Sequence, residues 1–234
     1  MTFLPTIPLP CPDLSWRELD AGDLDEIYAL HRQAIGNAGV DIIKPESREF
    51  FARLLNGDGT ILGVITPERQ LVAYGVIQRA WGSEEQPEAW FGWRDRPIAK
   101  LAGASVMPAW RGVGLQLALI HQRVLHAGEH CHFYATVAPG NAPSWQNMLL
   151  AGFQIVSLRR RYGDALRYML TREPAAGAFP TPTAVDASRP ITDTDLDQQA
   201  ALLRNGWRGL AARTTSGTRY LLVDTTTHAE AVPS

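Results

Sequence analysis

The sequence predicts a mixed α/β fold, and three observations carry that prediction. Strand-like and amphipathic helix-like runs alternate through the middle of the chain, hairpin-like pairs stand towards both ends, and a strand, glycine turn and helix follow one another from Ser105 to Leu125. The first strand is expected at Ser15 to Leu19. Asp23 is the candidate cap of a helix carrying Leu24, Ile27, Leu30 and His31, with Glu26 at capping-box spacing. Gly36 to Gly39 breaks that helix. A second follows Pro45, with Phe50, Phe51, Leu54 and Leu55 on one side and Asn56-Gly57 as its stop. Thr60 to Thr66 and Leu71 to Gln78 are rich in Val, Ile and Tyr and flank a polar turn, which predicts a hairpin.

Residues Arg79 to Arg96 hold three tryptophans and show no period, so a long, ordered loop is expected there. Strands follow at Lys100 to Val106 and His132 to Val137, separated by the helix that begins near Gly112. A short helix spans Pro143 to Leu150 and stops at Gly152. Phe153 to Leu158 and Leu166 to Leu170 are two further strands. The Pro-, Ala- and Thr-rich stretch at 174–192 reads as a linker. Residues 193–234 then carry a helix to Arg204 and a hairpin, Trp207 to Arg213 with Thr218 to Val223. That segment is too short for a core of its own and should dock on the main domain or on a neighbouring chain. Residues 1–13 form an irregular arm, which leaves 14–173 as the principal domain.

Composition excludes several classes. The chain has 234 residues, 45% of them hydrophobic and 20% charged, with a net charge of −2, so nothing draws it to nucleic acid or to an anionic membrane. Cys11 and Cys131 are the two cysteines, too few for a disulfide framework. The proline-rich N-terminus lacks the charged leader of a signal peptide. A soluble cytoplasmic protein is expected, with no metal, no nucleic acid and no membrane partner. The cluster His126, Glu129, His130, Cys131 and His132 does not converge as a zinc site requires, because alternate strand positions face opposite ways. Arg159, Arg160 and Arg161, with Arg167 nearby, are the one basic run. They read as a solvated face, or as a meeting point for a phosphate or an acidic acceptor.

The turn Arg111-Gly112-Val113-Gly114 suits an anion, because glycines admit close approach and the first amides of the following helix lack partners. Leu117 stands where a dinucleotide fingerprint needs its third glycine. Two patterns taken together resemble the GNAT superfamily of acyl-CoA-dependent N-acetyltransferases. One is V-M-P-x-x-R-G-V-G-L-Q from Val106, with Gln116 where Gly or Ala is usual. The other is Asn141, Ser144 and Gly152-Phe153 at the family's spacing. The resemblance covers about Leu14 to Arg172. It implies a largely antiparallel central sheet flanked by helices, to which the C-terminal helix and hairpin are a small appendage.

The resemblance also implies acetyl-CoA as co-substrate and a small-molecule or peptide amine as acceptor; a homodimer is a further possibility. Its pyrophosphate would lie on Arg111, Gly112, Val113, Gly114, Leu115, Gln116 and Leu117. The pantetheine arm would pair with Val106 and Met107 and reach Asn141 and Ser144, and an amide near Met107 would hold the oxyanion. The family's usual tyrosine acid, seven residues after the asparagine, is Met148 here, and methionine donates no proton. Tyr134 and Tyr162 are the substitutes, alongside water. Glu84 and Glu85, in the tryptophan-rich loop with Glu88, are candidate bases. The tryptophans themselves suit either an acceptor pocket or a loop stapled to the core. An acyltransferase whose amine acceptor attacks the thioester directly is therefore expected, with a catalytically weak acyl-CoA-binding module as the alternative.

Overall fold

In the computed structural model, residues 6–128, 130–174 and 188–224 are described. Ten strands make one sheet: β1 (Ser15–Glu18), β2 (Gly59–Ile65), β3 (Leu71–Gln78), β4 (Ile98–Val106), β5 (His132–Val137), β6 (Gln154–Arg161), β7 (Ala165–Arg172), β8 (Arg189–Thr192), β9 (Arg208–Thr215) and β10 (Thr218–Asp224). Their order is β1-β2-β3-β4-β5-β7-β6-β9-β10-β8. Every neighbouring pair is antiparallel except β4 and β5, which run parallel. Helices α1 (Leu24–Ile35) and α2 (Arg48–Arg53) pack on Ile61, Tyr74 and Val76 from one face. The other face carries α4 (Leu115–Ala127) and α5 (Ala142–Leu150), packed on Ala99, Phe133, Phe153 and Leu170. Parallel strands need a crossover, and α4 supplies the one between β4 and β5.

Local chemistry explains several differences from expectation. The carboxylate of Asp23 does not cap α1. It closes a capping box with Asp20 one turn earlier, around the 3-10 turn Ala21–Asp23. Glu26 instead accepts a hydrogen bond from the Leu71 amide at 2.8 Å, tying α1 to β3. The tryptophan-rich loop contains a short helix, α3 (Pro87–Phe91), opened by Pro87. In the stretch read as linker, residues 175–187 lie outside the described part, while Arg189–Thr192 form β8 at the sheet's edge. A strand of four residues containing Pro190 suits an edge, where the missing amide costs least.

The C-terminal segment docks on the main sheet. β9 meets β6 through the pair Ile155 and Gly209, where the absent side chain of Gly209 allows close approach. Helix α6 (Leu196–Arg204) lies over β6 and β7. It contributes Leu203 to the principal core and Gln199, whose side-chain oxygen accepts from Tyr168 at 2.5 Å. The described part of the N-terminal arm is also fastened. The Ile7 amide donates to Gln122 on α4 at 2.7 Å, and Trp16 donates to the Ile7 carbonyl at 2.8 Å.

One irregularity positions everything that follows. Between Gly75 and Ile77 the register of β3 against β4 shifts, and the extra residue falls on β4 at Ala102 and Gly103. The bulge frees carbonyls of Val76 and Ala102, and the buried guanidinium of Arg123 donates to both at 3.1 Å and to Leu119 at 3.1 Å. A bulge bends its strand, and β4 pairs with β5 only at Ile98, Ala99 and Lys100, the last of them just before the bulge. Beyond Lys100 the two strands diverge. A side chain at position 75 would place its Cβ 2.8 Å from Arg123 Nε, in a guanidinium already pinned by three carbonyls. Gly75→Ala is therefore expected to lower the unfolding free energy by about 1–3 kcal/mol, measured by urea denaturation. An unchanged midpoint would show that Arg123 is free to move.

Candidate active site

The divergence of β4 from β5 opens a cavity of about 780 Å³. One end is the glycine turn. Gly112 and Gly114 adopt φ of +82° and +88°, a conformation that suits glycine, and Gly114 precedes the first residue of α4 without a side-chain cap. The Ala118 amide is the first to close on the helix, reaching the Gly114 carbonyl, so the amides of the opening turn face outwards. Val106, Arg111, Gly112, Gly114, Leu115, Gln116, Asn141 and Ser144 all line the cavity, whereas Met107, Val113 and Leu117 do not. Met107 packs its side chain towards α1 and α2 and donates its amide to Val72 at 2.8 Å. That amide is thus not available to an oxyanion. Strand alternation turns the backbone of Val106 to the open edge instead.

Gln116, the departure from the family's small residue, has a definite place. Its side-chain oxygen accepts from Asn147 on α5 at 2.8 Å, drawing the side chain across the gap between the two helices. Asn141 starts α5 and forms no side-chain cap bond. Arg111 is exposed and donates to carbonyls of Ala34, at 2.7 Å, and Val106, at 3.3 Å, which joins the glycine turn to the end of α1. Met148 is buried and lines the cavity beside Asn147.

The other end lies on the α1 and α2 face of the sheet. Tyr162, in the turn between β6 and β7, has φ of +53° and projects into the cavity with Thr136 and Lys100. Its hydroxyl lies 3.0 Å from Thr136 Oγ1, accepts from Lys100 Nζ at 3.3 Å and donates to Glu85 at 3.2 Å. Glu85 also pairs with the Lys100 ammonium and accepts from Tyr134 at 2.7 Å, with Arg161 3.7 Å away. Burial raises the Glu85 carboxyl, but the Lys100 charge, the Lys100 and Tyr134 hydrogen bonds and Arg161 together hold it below the usual value. Burial opposes the Lys100 ammonium, yet Tyr162 and Glu85 more than offset this and hold it above its usual value. Both are charged at neutral pH. An ionised carboxylate so held is a poor acceptor for an ammonium proton.

The four candidate catalytic residues therefore separate. Glu85, Tyr134 and Tyr162 share one network, but of these only Tyr162 lines the cavity. Tyr134 is buried behind it, with its hydroxyl pushed far up by burial and by Glu85. Glu84 has an exposed side chain, and its carbonyl accepts from Arg161. The aromatic residues staple the loop to the sheet. Trp81, Trp90 and Phe91 surround Tyr134, and Trp93 stacks on His132 with ring centroids 4.5 Å apart. None of the four lines the cavity.

Sequence reasoning missed Lys100, His31, Lys44 and Arg123, all of which line the cavity. The available signal was a lysine and an arginine set inside apolar runs. His31 Nε2 accepts the Glu46 amide at 2.9 Å, which leaves the proton on Nδ1, 2.8 Å from the Tyr74 hydroxyl; Ser105 donates to that hydroxyl at 3.1 Å. Among the described residues no cluster of metal-ligating side chains occurs, and no helix is long and apolar enough to cross a membrane. His132 is engaged by Asp95 at 2.9 Å, and the Cys131 thiol donates to the Ala127 carbonyl.

No protein-family model matches the chain, and no curated protein matches it by sequence. Solved structures do. The NatC complex bound to Gag peptide and CoA matches with a TM-score of 0.54 at 14% identity, over 70% of this chain and 99% of that one. AAC(6')-Ib in complex with ribostamycin and coenzyme A matches at 0.53 and 14% identity, over 69% and 93%. Histone acetyltransferase HPA2 and related acetyltransferase from Corynebacterium glutamicum matches at 0.50 and 18% identity, over 71% and 99%. The chain has the GNAT fold.

Burial, then Arg32 and Lys44, lower the His31 pKa from 6.5 to about 4. Between those values the unfolded chain binds a proton that the folded protein refuses, so stability present above pH 6.5 is lost as the pH falls towards 4. At about 1.4 kcal/mol per pKa unit, the loss by about pH 4.5 is roughly 2–3 kcal/mol. Urea denaturation at about pH 7 and about pH 4.5 should show a smaller drop for His31→Gln than for the unsubstituted protein. Equal drops would mean that His31 charges freely in the folded state.

Proposed function

We propose that the protein is an N-acyltransferase, most simply an N-acetyltransferase, that moves the acetyl group of acetyl-CoA onto a primary amine. The observation that carries this reading is the single cavity opened by the divergence of β4 and β5. It runs from unpartnered amides of a helix start to a hydroxyl and an ammonium on the opposite face of the sheet. A pyrophosphate suits the first end, since the helix dipole and free amides of Leu115 and Gln116 favour an anion. The pantetheine arm would pair with the outward backbone of Val106 as an added strand and pass Asn141 and Ser144. The GNAT fold and the CoA complexes among its structural neighbours support the choice of donor.

With the thioester in the gap, the amine attacks the carbonyl carbon. The N–C bond forms, the C–S bond breaks, the ammonium proton leaves through water, and the thiolate takes a proton. The Val106 amide is the backbone donor on the open edge available to the developing oxyanion. Tyr162 is the proton donor for the thiolate. Its hydroxyl lies in the cavity, and the Lys100 ammonium donates to its oxygen at 3.3 Å, which holds it in place. Glu85 acts through Lys100 and Tyr162, fixing both, and does not itself meet substrate. Met148 favours a second reading, a CoA-binding module without turnover, because it lines the cavity and donates no proton.

Two measurements decide. Gly114→Trp should abolish acetyl-CoA binding in calorimetry, since the turn needs φ of +88° and open space. Retained binding would move the donor elsewhere. Tyr162→Phe should lower kcat in a thiol-release assay by roughly 100-fold, with the KM for acetyl-CoA changed by less than about twofold. An unchanged kcat would assign the proton to water, and tight CoA binding with no turnover on any amine would establish the binding module.

A further inference from the structure

Charge at the acceptor end of the cavity is unbalanced. Four cationic groups surround the Tyr162 ring: Lys44 Nζ at 5.0 Å from its centroid, Arg161 Cζ at 5.5 Å, Lys100 Nζ at 5.7 Å and Arg167 Cζ at 5.8 Å. Lys44, Lys100 and Arg167 line the cavity itself. Two carboxylates form ion pairs with three of them. Glu46 pairs with Lys44 at 2.7 Å, and Glu85 is shared between Lys100 and Arg161. Arg167, only 2% exposed, hydrogen-bonds carbonyl oxygens of Val40, Asp41 and Leu166. The exposed Asp41 carboxylate is near enough for its charge to act on Arg167, but Arg167 forms no ion pair within 4.0 Å among the described residues. A buried guanidinium satisfied only by neutral oxygens, at the wall of a cavity, is a standing attraction for an anion.

Resting on the acyltransferase reading, we infer that the acceptor is a small amine carrying its own oxyanion, a carboxylate or a phosphonate, as in an amino acid. The oxyanion would lie between Lys44 and Arg167 over Tyr162, and the amine would face the thioester near Lys100. The same field disfavours acceptors whose remaining charge is positive, such as diamines, because each would add a cation to the four already there. Hydrogen bonds to a charged partner are also stronger than those to a neutral amide, which separates an acid from its carboxamide.

The test is direct. The full-length protein loaded with CoA is titrated in a calorimeter with the common amino acids, their carboxamides, aminoalkylphosphonates and linear diamines. The same compounds are then assayed for thiol release from acetyl-CoA. The best acid should bind roughly ten- to a hundredfold more tightly than its carboxamide, with a matching difference in kcat/KM. A phosphonate outranking every carboxylate would identify the oxyanion as phosphonate. Lys44→Gln and Arg167→Gln should each weaken binding of the acid by about tenfold and leave the carboxamide unchanged. Lys44→Gln serves where Arg167→Gln fails to fold, because Lys44 stands at the more exposed edge. Acids binding no more tightly than their carboxamides, diamines binding better than acids, or an unaltered preference in Lys44→Gln would overturn the inference. Failure of CoA to bind would overturn the donor reading alone, and the same titration on the free protein would still decide the acceptor.

Discussion

The guanidinium of Arg123 is the constraint on which the site depends. A register shift in a central sheet leaves backbone carbonyls without strand partners, and an unpaired buried carbonyl is costly. Arg123 reaches from α4 to satisfy those of Val76 and Ala102, and Gly75 leaves room for it. Burial lowers the pKa of that guanidinium to about 9, yet it still carries its charge at neutral pH. The extra residue on β4 then turns the strand away from β5 just past Lys100, and the gap becomes the cavity. Helix, bulge and opening are one mechanical unit.

A second network holds the far side of the gap. Lys100 stands at the last paired position of β4 beside Tyr134 on β5, and Glu85 reaches in from the aromatic loop to bind both. The tryptophans make that reach possible. Packed edge-on around Tyr134 and stacked on His132, they fix a long segment against the sheet so that one carboxylate can be buried where two strands part. Tyr162 enters from the β6–β7 turn to complete the cluster, and its ring gathers the cations that give this end its positive character.

Legibility in the sequence followed the range of the interaction. Hydrophobic period and turn residues located β5, the β2–β3 hairpin and the short α5 closely, because each is set by its own neighbours. The same local logic placed the glycine turn, but it did not separate Gly112 and Gly114, which line the cavity, from Val113 and Leu117, which do not. It misassigned the Asp23 cap and the Glu26 capping box, since Glu26 finds the Leu71 amide across the fold, a partner invisible in local spacing. It left β8 unseen, as four residues with a central proline carry no period. Glu84 and Glu85 looked alike in the chain; only packing exposed one and buried the other against Lys100.

By itself, the sequence determined the α/β class, the order of the elements apart from α3 and β8, and the turn at Gly112 to Gly114, where backbone conformation depends on the residue in place. Tertiary structure decided which polar groups share a site. Arg123 beneath a bulge, Lys100 with Glu85, and Arg167 over Tyr162 each join residues far apart in the chain. The physical reason is that burial and charge pairing act through space, between strands and helices whose registers are settled only when the whole sheet has formed.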